Sequence, residues 1–178
     1  MTSFIPSARI AVAFAAGLSL AGAAFAFDFP ARKPGLWEMS MNLGATASKL
    51  PVQVTQQCLD AASDKAMREM GEGMSKDRCS KQDMRNEGGK IIVDTVCKME
   101  GPSNTVATTH SVMSGDFNST YHVESKSSYS PPMMGRAEGS IVIDAKWVGP
   151  CKPGQKPGDM IMSNGMKMNL LDKMGGKK

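Results

Sequence analysis

The sequence has little of what identifies nucleic-acid-binding proteins and common enzymes. Aromatic residues make up only 6% of the 178 residues, and the formal net charge is only +4, whereas a nucleic-acid-binding domain needs a strongly basic face and stacking side chains. No GxSxG, HExxH, GxGxxG or P-loop motif occurs, and His110 and His122 are the only histidines. The sequence therefore predicts no nucleic-acid partner, no cofactor and no familiar catalytic motif.

The one long apolar run lies at the N-terminus. It extends from Ile10 to Ala24, about 15 residues, which is shorter than the roughly 20 that a membrane-spanning helix needs. It follows Arg9 and leads into Ala24-Phe25-Ala26, a small-x-small cleavage site. A basic start, a short apolar core and such a site are typical of a secretory signal peptide. We expect a signal peptide over 1–26 and a mature chain without a transmembrane segment.

The chain has four cysteines, all of which follow the predicted cleavage site. An even number of cysteines in an exported protein predicts disulfides, and the lack of a CxxC pair argues against a thioredoxin-like or zinc site. Three pairings are possible. A hairpin centred on Gly88 would place Cys79 opposite Cys97, since each lies nine residues away, and facing residues are close enough to bridge. We therefore favour Cys79–Cys97 and, by elimination, Cys58–Cys151.

Alternation of apolar and polar residues predicts that most of the mature chain is β-strand. The candidate strands cover approximately 36–43, 52–58, two runs on either side of a turn at 86–89, and then 105–114, 117–125 and 141–147. Helical spacing of Met67, Met70 and Met74 predicts one helix over 60–74, with these methionines packed against the sheet. The segment 127–139, which contains two prolines, is predicted to be a loop.

Consecutive hairpins make an antiparallel sheet with one buried face. The predicted fold is therefore mainly β (α+β): a curved antiparallel sheet or partly open barrel of about seven strands, with one helix packed on it. This domain would occupy 27–152 and be followed by a partly irregular Met/Gly/Lys-rich tail over 153–178.

Methionine is unusually frequent, with 16 residues in the chain. Thioether sulfurs suit the soft ion Cu(I), and residues two apart on a strand project to the same face. Met39 and Met41 share the face of Trp37 and are predicted to be core, whereas the tail methionines lie among Gly, Asn and Lys. The candidate metal ligands are therefore Met160, Met162, Met166 and Met168. The alternative is that the tail forms an adaptable Met-rich lid over the open sheet.

The two histidines flank the second predicted hairpin. A three-residue loop centred on Asp116 would place His110 directly opposite His122, with Met113 nearby, whereas a two-residue turn would offset them. Only the first arrangement would bring the two imidazoles together.

Five short motifs give the mature chain a resemblance to a known family. They are Lys33-Pro34-Gly35-Leu36-Trp37-Glu38, Gln57-Cys58-Leu59, Asp94-Thr95-Val96-Cys97, Ser114-Gly115-Asp116-Phe117 and Lys146-Trp147-Val148-Gly149-Pro150-Cys151. Together they resemble the exported bacterial proteins of DUF3617, a domain of unknown function. The resemblance covers nearly all of the mature chain and implies residence in the periplasm of a Gram-negative bacterium. It implies no activity and no catalytic residues.

These observations favour a non-enzymatic binding module in which the sheet holds a small ligand or an envelope protein. Trp37 and Trp147 are its candidate ligand-binding residues. The alternative is periplasmic copper handling through the methionine clusters. An enzyme of unrecognised type is the third interpretation, and it requires a cleft in which a carboxylate or His110 lies beside a nucleophile.

Overall fold

A computed structural model of the chain describes residues 27–44, 51–101 and 103–175. The signal peptide predicted over 1–26 lies outside the described residues. Within the described ranges, neither helix combines the length and the apolar character needed to cross a membrane.

The described chain forms one open antiparallel sheet of nine strands in the order β3-β4-β5-β6-β7-β1-β2-β8-β9. The strands are β1 (Gly35–Asn42), β2 (Gln53–Leu59), β3 (Cys79–Glu87), β4 (Lys90–Lys98), β5 (Val106–Gly115), β6 (Thr120–Met133), β7 (Arg136–Gly149), β8 (Asp159–Met162) and β9 (Lys167–Asn169). The helices are α1 (Ala61–Arg78) and α2 (Leu170–Gly175). The predicted fold class is confirmed, and the two strands beyond the expected seven are β8 and β9, which lie in the predicted tail.

The prediction of a loop over 127–139 was wrong. The segment forms the ends of β6 and β7, which pair at Ser127 with Gly139 and at Ser128 with Glu138. Its serines, arginine and glutamate resemble a loop in composition, but backbone pairing does not require apolar side chains. The two prolines, Pro131 and Pro132, lie where the register between β6 and β7 shifts, so their missing N–H groups interrupt little of the ladder.

Helix α1 connects β2 with the distant edge strand β3, so it must cross the sheet. Asp60 caps its N-terminus by accepting from the Ser63 amide at 2.7 Å, and the Ser63 hydroxyl accepts from the Asp60 amide at 2.9 Å. These reciprocal bonds form a capping box. The helix does not end near Met74 as predicted but continues to Arg78, where Lys76 and Arg78 complement the negative end of its dipole.

Directly opposed residues share a face of the sheet, which defines the helix face as the side that carries Trp37, Met39 and their cross-strand partners. The core on this face is formed by Trp37, Leu59 and Ala145, with partly buried side chains packed around them. Trp37 is fully buried and donates its indole N–H to the Lys33 carbonyl at 2.8 Å.

Gly35 explains part of the Lys-Pro-Gly-Leu-Trp-Glu motif. Its φ of +134° is rarely adopted by residues with a side chain, and an added Cβ would overlap the indole of Trp147. That indole donates to the Pro34 carbonyl at 3.0 Å, and Lys33 Nζ lies 3.6 Å from the ring centroid. The glycine therefore permits the close approach of β1 and Trp147.

Two disulfides, Cys58–Cys151 and Cys79–Cys97, hold the ends of α1. Cys58 lies just before the helix and Cys79 directly after it. The strand order requires the chain after β7 to cross β1 and β2 before it reaches β8, and Cys58–Cys151 fixes this crossing. These are the two pairs that the sequence favoured.

The tail docks against β2 as part of the sheet. Met160 pairs with Gln57, and Met162 with Thr55. Asp159, the first residue of β8, is buried. Its carboxylate accepts hydrogen bonds from the Lys156 amide at 2.7 Å and from Lys167 Nζ at 2.7 Å. Burial raises the pKa of Asp159, but the hydrogen bonds from Lys156, Lys167 and Asn169 outweigh it and lower the pKa to about 2.

Candidate functional site

A cavity of about 540 Å³ lies between α1 and the helix face of the sheet. Its volume is within the range of roughly 300–1,000 Å³ that is usual for small-molecule sites. We call this space the helix cavity.

The wall of the helix cavity on the sheet side is largely apolar. It is contributed by residues from successive strands that share the helix face: Met84, Val93, Met113, Val123 and Ile143. Met67 from the helix closes the cavity above them, and Phe117 lies at one side. An apolar compound could therefore contact side chains from five neighbouring strands at once.

One end of the helix cavity carries a buried ionic cluster. Arg32 Nε donates to Asp64 Oδ1 at 2.7 Å and its backbone amide donates to Asp64 Oδ2 at 3.1 Å. Arg68, one turn along the helix, donates to the same carboxylate at 2.8 Å. The Asp64 side chain is only 2% exposed and that of Arg32 15%. Two cations thus share one anion, and Arg68 also lines the cavity.

Tyr121 connects this ionic cluster with the core. Its hydroxyl accepts from Arg32 Nη1 at 3.5 Å and donates to Met39 Sδ at 3.2 Å. Its ring packs 5.5 Å from that of Trp37 and stacks at 5.4 Å on that of Phe117. The aromatic ring therefore forms a rigid boundary between the cavity and the buried residues of β1.

Phe117 is held at the cavity by the loop between β5 and β6. Its φ of +56° is unusual for a bulky residue. Asp116 organises this loop by accepting from the amides of Asn118, Ser119 and Thr120, and these bonds, first that from Ser119, lower the pKa of the carboxyl well below its usual range. The Lys33 amide also donates to the Phe117 carbonyl at 3.0 Å.

The middle of α1 does not pack against the sheet. Gly71 lines the helix cavity, and a Cβ placed there would meet no atom within 4 Å. The predicted packing of the methionine stripe was wrong for Met70 and Met74, which are 37% and 48% exposed. The reason is the pairing of Asp64 with Arg32, which turns the row Asp64, Met67, Arg68 and Gly71 towards the sheet.

The predicted ligand-binding residues Trp37 and Trp147 lie outside the lining of the helix cavity. Trp37 is a core residue behind Tyr121, and Trp147 contacts Lys33 and Pro34 at the start of β1. Both shape the site indirectly, because they fix the segment that carries Arg32.

The structure brings the four predicted metal ligands together on the hairpin of β8 and β9, as two opposed pairs on one face. Met160 and Met168 are directly opposed on β8 and β9. Met162 lies further along the same face of β8, and its amide donates to the carbonyl of Met166, which directly precedes β9 and is 53% exposed. A joint copper site of all four remains a prediction. In the described part of the chain, no group of three His, Cys, Asp or Glu side chains could hold a metal ion.

The histidines are offset rather than opposed, because β5 and β6 are joined by the four residues from Asp116 to Ser119. His110 pairs with Lys126, and His122 with Ser114. His122 Nδ1 is hydrogen-bonded to Asp144 at 2.7 Å, but Nε2, which would have to take a serine proton, is hydrogen-bonded to Glu124 at 3.2 Å. Ser114, His122 and Asp144 therefore lie in a row without forming a proton relay.

Sequence reasoning missed Arg32, Arg68 and Tyr121. A signal was present in α1, where Asp64, Arg68, Glu72 and Ser75 recur at helical spacing among the apolar residues. This pattern gives the helix a polar stripe as well as a methionine stripe, and either could face the sheet. The choice depends on Arg32, whose contact with Asp64 spans 32 residues.

Most of the described chain matches a known family model. The sequence model described as "Protein of unknown function (DUF3617)" matches residues 32–151. This region begins at Arg32, includes α1 and all lining strands of the helix cavity, and ends at Cys151. No curated protein and no solved structure matches the chain.

Proposed function

The chain belongs to the DUF3617 family, and we propose that it is an exported periplasmic protein that binds a small amphiphile in the helix cavity. The apolar part of the ligand would lie between α1 and the sheet, and an anionic group would lie beside Arg68. The observation that carries the proposal is the cavity itself, which combines a continuous apolar wall with arginine at one end.

The pattern at residues 1–26 supports export, as do four cysteines joined in two disulfides, which persist in oxidising compartments. Cell fractionation tests this part: the full chain should appear in the periplasm, whereas a chain that starts at Phe27 should stay in the cytoplasm. Equal distribution of the two chains would contradict export.

Arginine favours a carboxylate or phosphate as the polar group of the ligand. Asp64 receives three hydrogen bonds from two arginines, so the two guanidinium charges exceed the charge that it neutralises. Arg68 donates through Nη1 to Asp64, and a planar guanidinium has further N–H groups that can bind an oxyanion. Glu72, one turn beyond Arg68, also lines the cavity and offsets this excess. We therefore expect an anion to be recognised by direct hydrogen bonds from Arg68 rather than by net charge.

Because a disulfide lies near each end of α1, the helix would stay in place when a ligand binds rather than open as a lid. Cys58 and Cys79 hold the two ends to the sheet, while the middle of the helix leaves space beneath it. A chain-like ligand could enter along the open side of this space without detaching either end.

The position of the ligand is tested most sharply with two glycines of α1, Gly71 and Gly73, which differ in whether they line the cavity. Gly71 lines the helix cavity and Gly73 does not, while neither would place a Cβ near other atoms. Replacement by Leu removes the same helix penalty of about 1 kcal/mol at each. Titration calorimetry with dodecanoate should show binding to wild type and to Gly73→Leu, and at least tenfold weaker binding to Gly71→Leu. Equal affinities of the two variants would overturn the placement of the ligand.

The anionic group is tested with dodecanol, which has the same chain and no charge. Wild type should prefer the acid, and Arg68→Gln should abolish that preference while keeping alcohol binding. Lys65→Gln is the matched control, because Lys65 is on the same helix but is 69% exposed. A preference that survives Arg68→Gln would contradict recognition by this arginine.

A further inference from the structure

We infer that a second, smaller cavity binds a soft monovalent metal ion, Cu(I), through Met39, Met41 and Met162. The cavity measures about 280 Å³ and lies on the helix face over β1, β2 and β8. This inference is independent of the amphiphile site, and Met162 lies beyond the region matched by the family.

The strand register brings the three thioethers to one place. Met39 pairs with Thr55, and Thr55 pairs with Met162, so these two methionines lie on either side of a small residue in one row. Met41 follows Met39 on the same face, two residues along β1. Long flexible methionine side chains can converge above Thr55, and all three line the cavity.

The surroundings of this cavity suit a soft ion. The other described residues that line it are Gln53, Thr55, Ile143, Ser163 and Asn164, so the lining contains no carboxylate and no imidazole. Neutral thioethers match Cu(I), whereas Mg²⁺, Ca²⁺ and Mn²⁺ prefer carboxylates, carbonyls and water. Three neutral sulfurs around a single positive charge also need no counter-ion among the lining residues.

Two of the sulfurs are held in contrasting environments. Met39 Sδ accepts a hydrogen bond from the Tyr121 hydroxyl at 3.2 Å, which fixes its position and leaves a second lone pair for a metal. Met41 is 36% exposed, although the sequence predicts it to be core. An exposed thioether beside two less exposed ones would give an arriving ion a first ligand.

The site differs from the one predicted in the tail. Met160 and Met168 face each other on β8 and β9 and do not line this cavity. Met166 lies opposite Met162 at the end of the turn and does not line this cavity either. Only Met162 is common to both sets, which gives matched variants of equal chemistry: Met39→Leu/Met41→Leu for this site and Met160→Leu/Met168→Leu for the tail.

The experiment is an anaerobic titration of Cu(I) in competition with a chromophoric Cu(I) chelator, on the purified protein with its disulfides intact. Wild type should bind one Cu(I). Met39→Leu/Met41→Leu should weaken binding at least about tenfold, since even changes outside the ligand shell cost metal sites 10–100-fold. Met160→Leu/Met168→Leu should bind as wild type does. Leucine retains most of the apolar volume, and unchanged circular dichroism confirms that each variant is folded.

A second readout is methionine-methyl NMR with Ag(I), a redox-stable substitute for Cu(I). The resonances of Met39, Met41 and Met162 should shift together at one equivalent. Absence of Cu(I) binding to wild type would overturn the inference. So would loss of binding in Met160→Leu/Met168→Leu with retention in Met39→Leu/Met41→Leu, because the ion would then be in the tail.

Discussion

The two halves of α1 lie against the sheet in different ways. The first half is sealed: Ser63 and Asp64 are buried, and Met67 packs against the core around Trp37. The second half is open, with space beneath Gly71 and with Met70 and Met74 facing solvent. Both halves belong to one continuous helix that is held by a disulfide near each end.

This difference separates stability from binding within a single element. The sealed half contributes buried contacts and a shared carboxylate, so changes to its buried side chains should lower the free energy of unfolding. The open half contributes few contacts to the fold, so changes there should alter what the cavity can hold. Binding sites are usually placed where a rigid support adjoins space that the fold leaves unfilled.

The largest expected effect comes from the disulfide near the sealed half. Cys58–Cys151 spans 93 residues and Cys79–Cys97 spans 18. In the chain-entropy treatment, replacing both cysteines by serine costs about 4–5 kcal/mol for the longer loop and about 3 kcal/mol for the shorter. Urea denaturation of the two double variants measures this difference. A larger loss for the shorter loop would contradict the assignment of the sealed half as the main support.

The next effect distinguishes two carboxylates on α1. Asp64→Asn would leave Arg32 and Arg68 without their shared anion, which should cost about 3 kcal/mol because the pair is largely buried. Glu72→Gln, two turns later in the open half, should change the free energy of unfolding by less than about 0.5 kcal/mol. Thermal denaturation of both variants makes the comparison, and equal losses would refute the distinction between the halves.

A smaller effect is expected where the tail docks against β2, beside the sealed half. Asp159→Asn should cost about 1–2 kcal/mol near neutral pH, because charge-assisted hydrogen bonds from Lys156 and Lys167 are weakened. The folded pKa of about 2 is below the ordinary 3.8. The carboxylate therefore stabilises the fold above pH 4, and the advantage of wild type should fade as the pH falls towards 2. An advantage that grows in acid would contradict this assignment.

The smallest effect is expected for His122, which lies on the sheet face opposite the helix face and contacts neither half of α1. The hydrogen bond to Asp144, and then that to Glu124, raises the pKa of His122. The stabilisation is therefore complete below the unfolded pKa of about 6.5 and is lost as the pH rises through the higher folded value. His122→Gln should cost roughly 0.2–1 kcal/mol near pH 5.5, since the pair is exposed, and nothing near pH 9. A loss that persists at pH 9 would point to packing rather than charge.

The cysteine pairing shows how far local patterns reach. Gly88 and Gly89 form a two-residue turn with both φ values positive, as hairpins favour. That turn alone would have placed Cys79 opposite Lys98. The register shifts between Cys79 and Lys81, and this bulge restores the pair with Cys97. The prediction was therefore correct for the pair, although the sequence did not indicate the bulge.

Local sequence patterns could not predict the helix cavity, because the cavity depends on contacts between residues that are distant in the sequence. Trp37 looked like a ligand-binding residue by type, but Lys33 and Tyr121 enclose it. The rotation of α1 depends on Arg32, which precedes the helix by a whole hairpin. Periodicity identifies the faces of a helix, whereas the partner that selects one face comes from elsewhere in the chain.

The most direct test of the account uses the methionines as probes. Methyl-labelled methionine NMR during a dodecanoate titration should shift the resonances of Met67, Met84 and Met113, which line the helix cavity. The resonance of Met134, which is 95% exposed on the hairpin between β6 and β7, should stay in place. Saturable shifts of the three cavity methionines are the predicted result. Shifts confined to Met134 and the exposed Met70 and Met74, or no shifts at all, would contradict binding between α1 and the sheet.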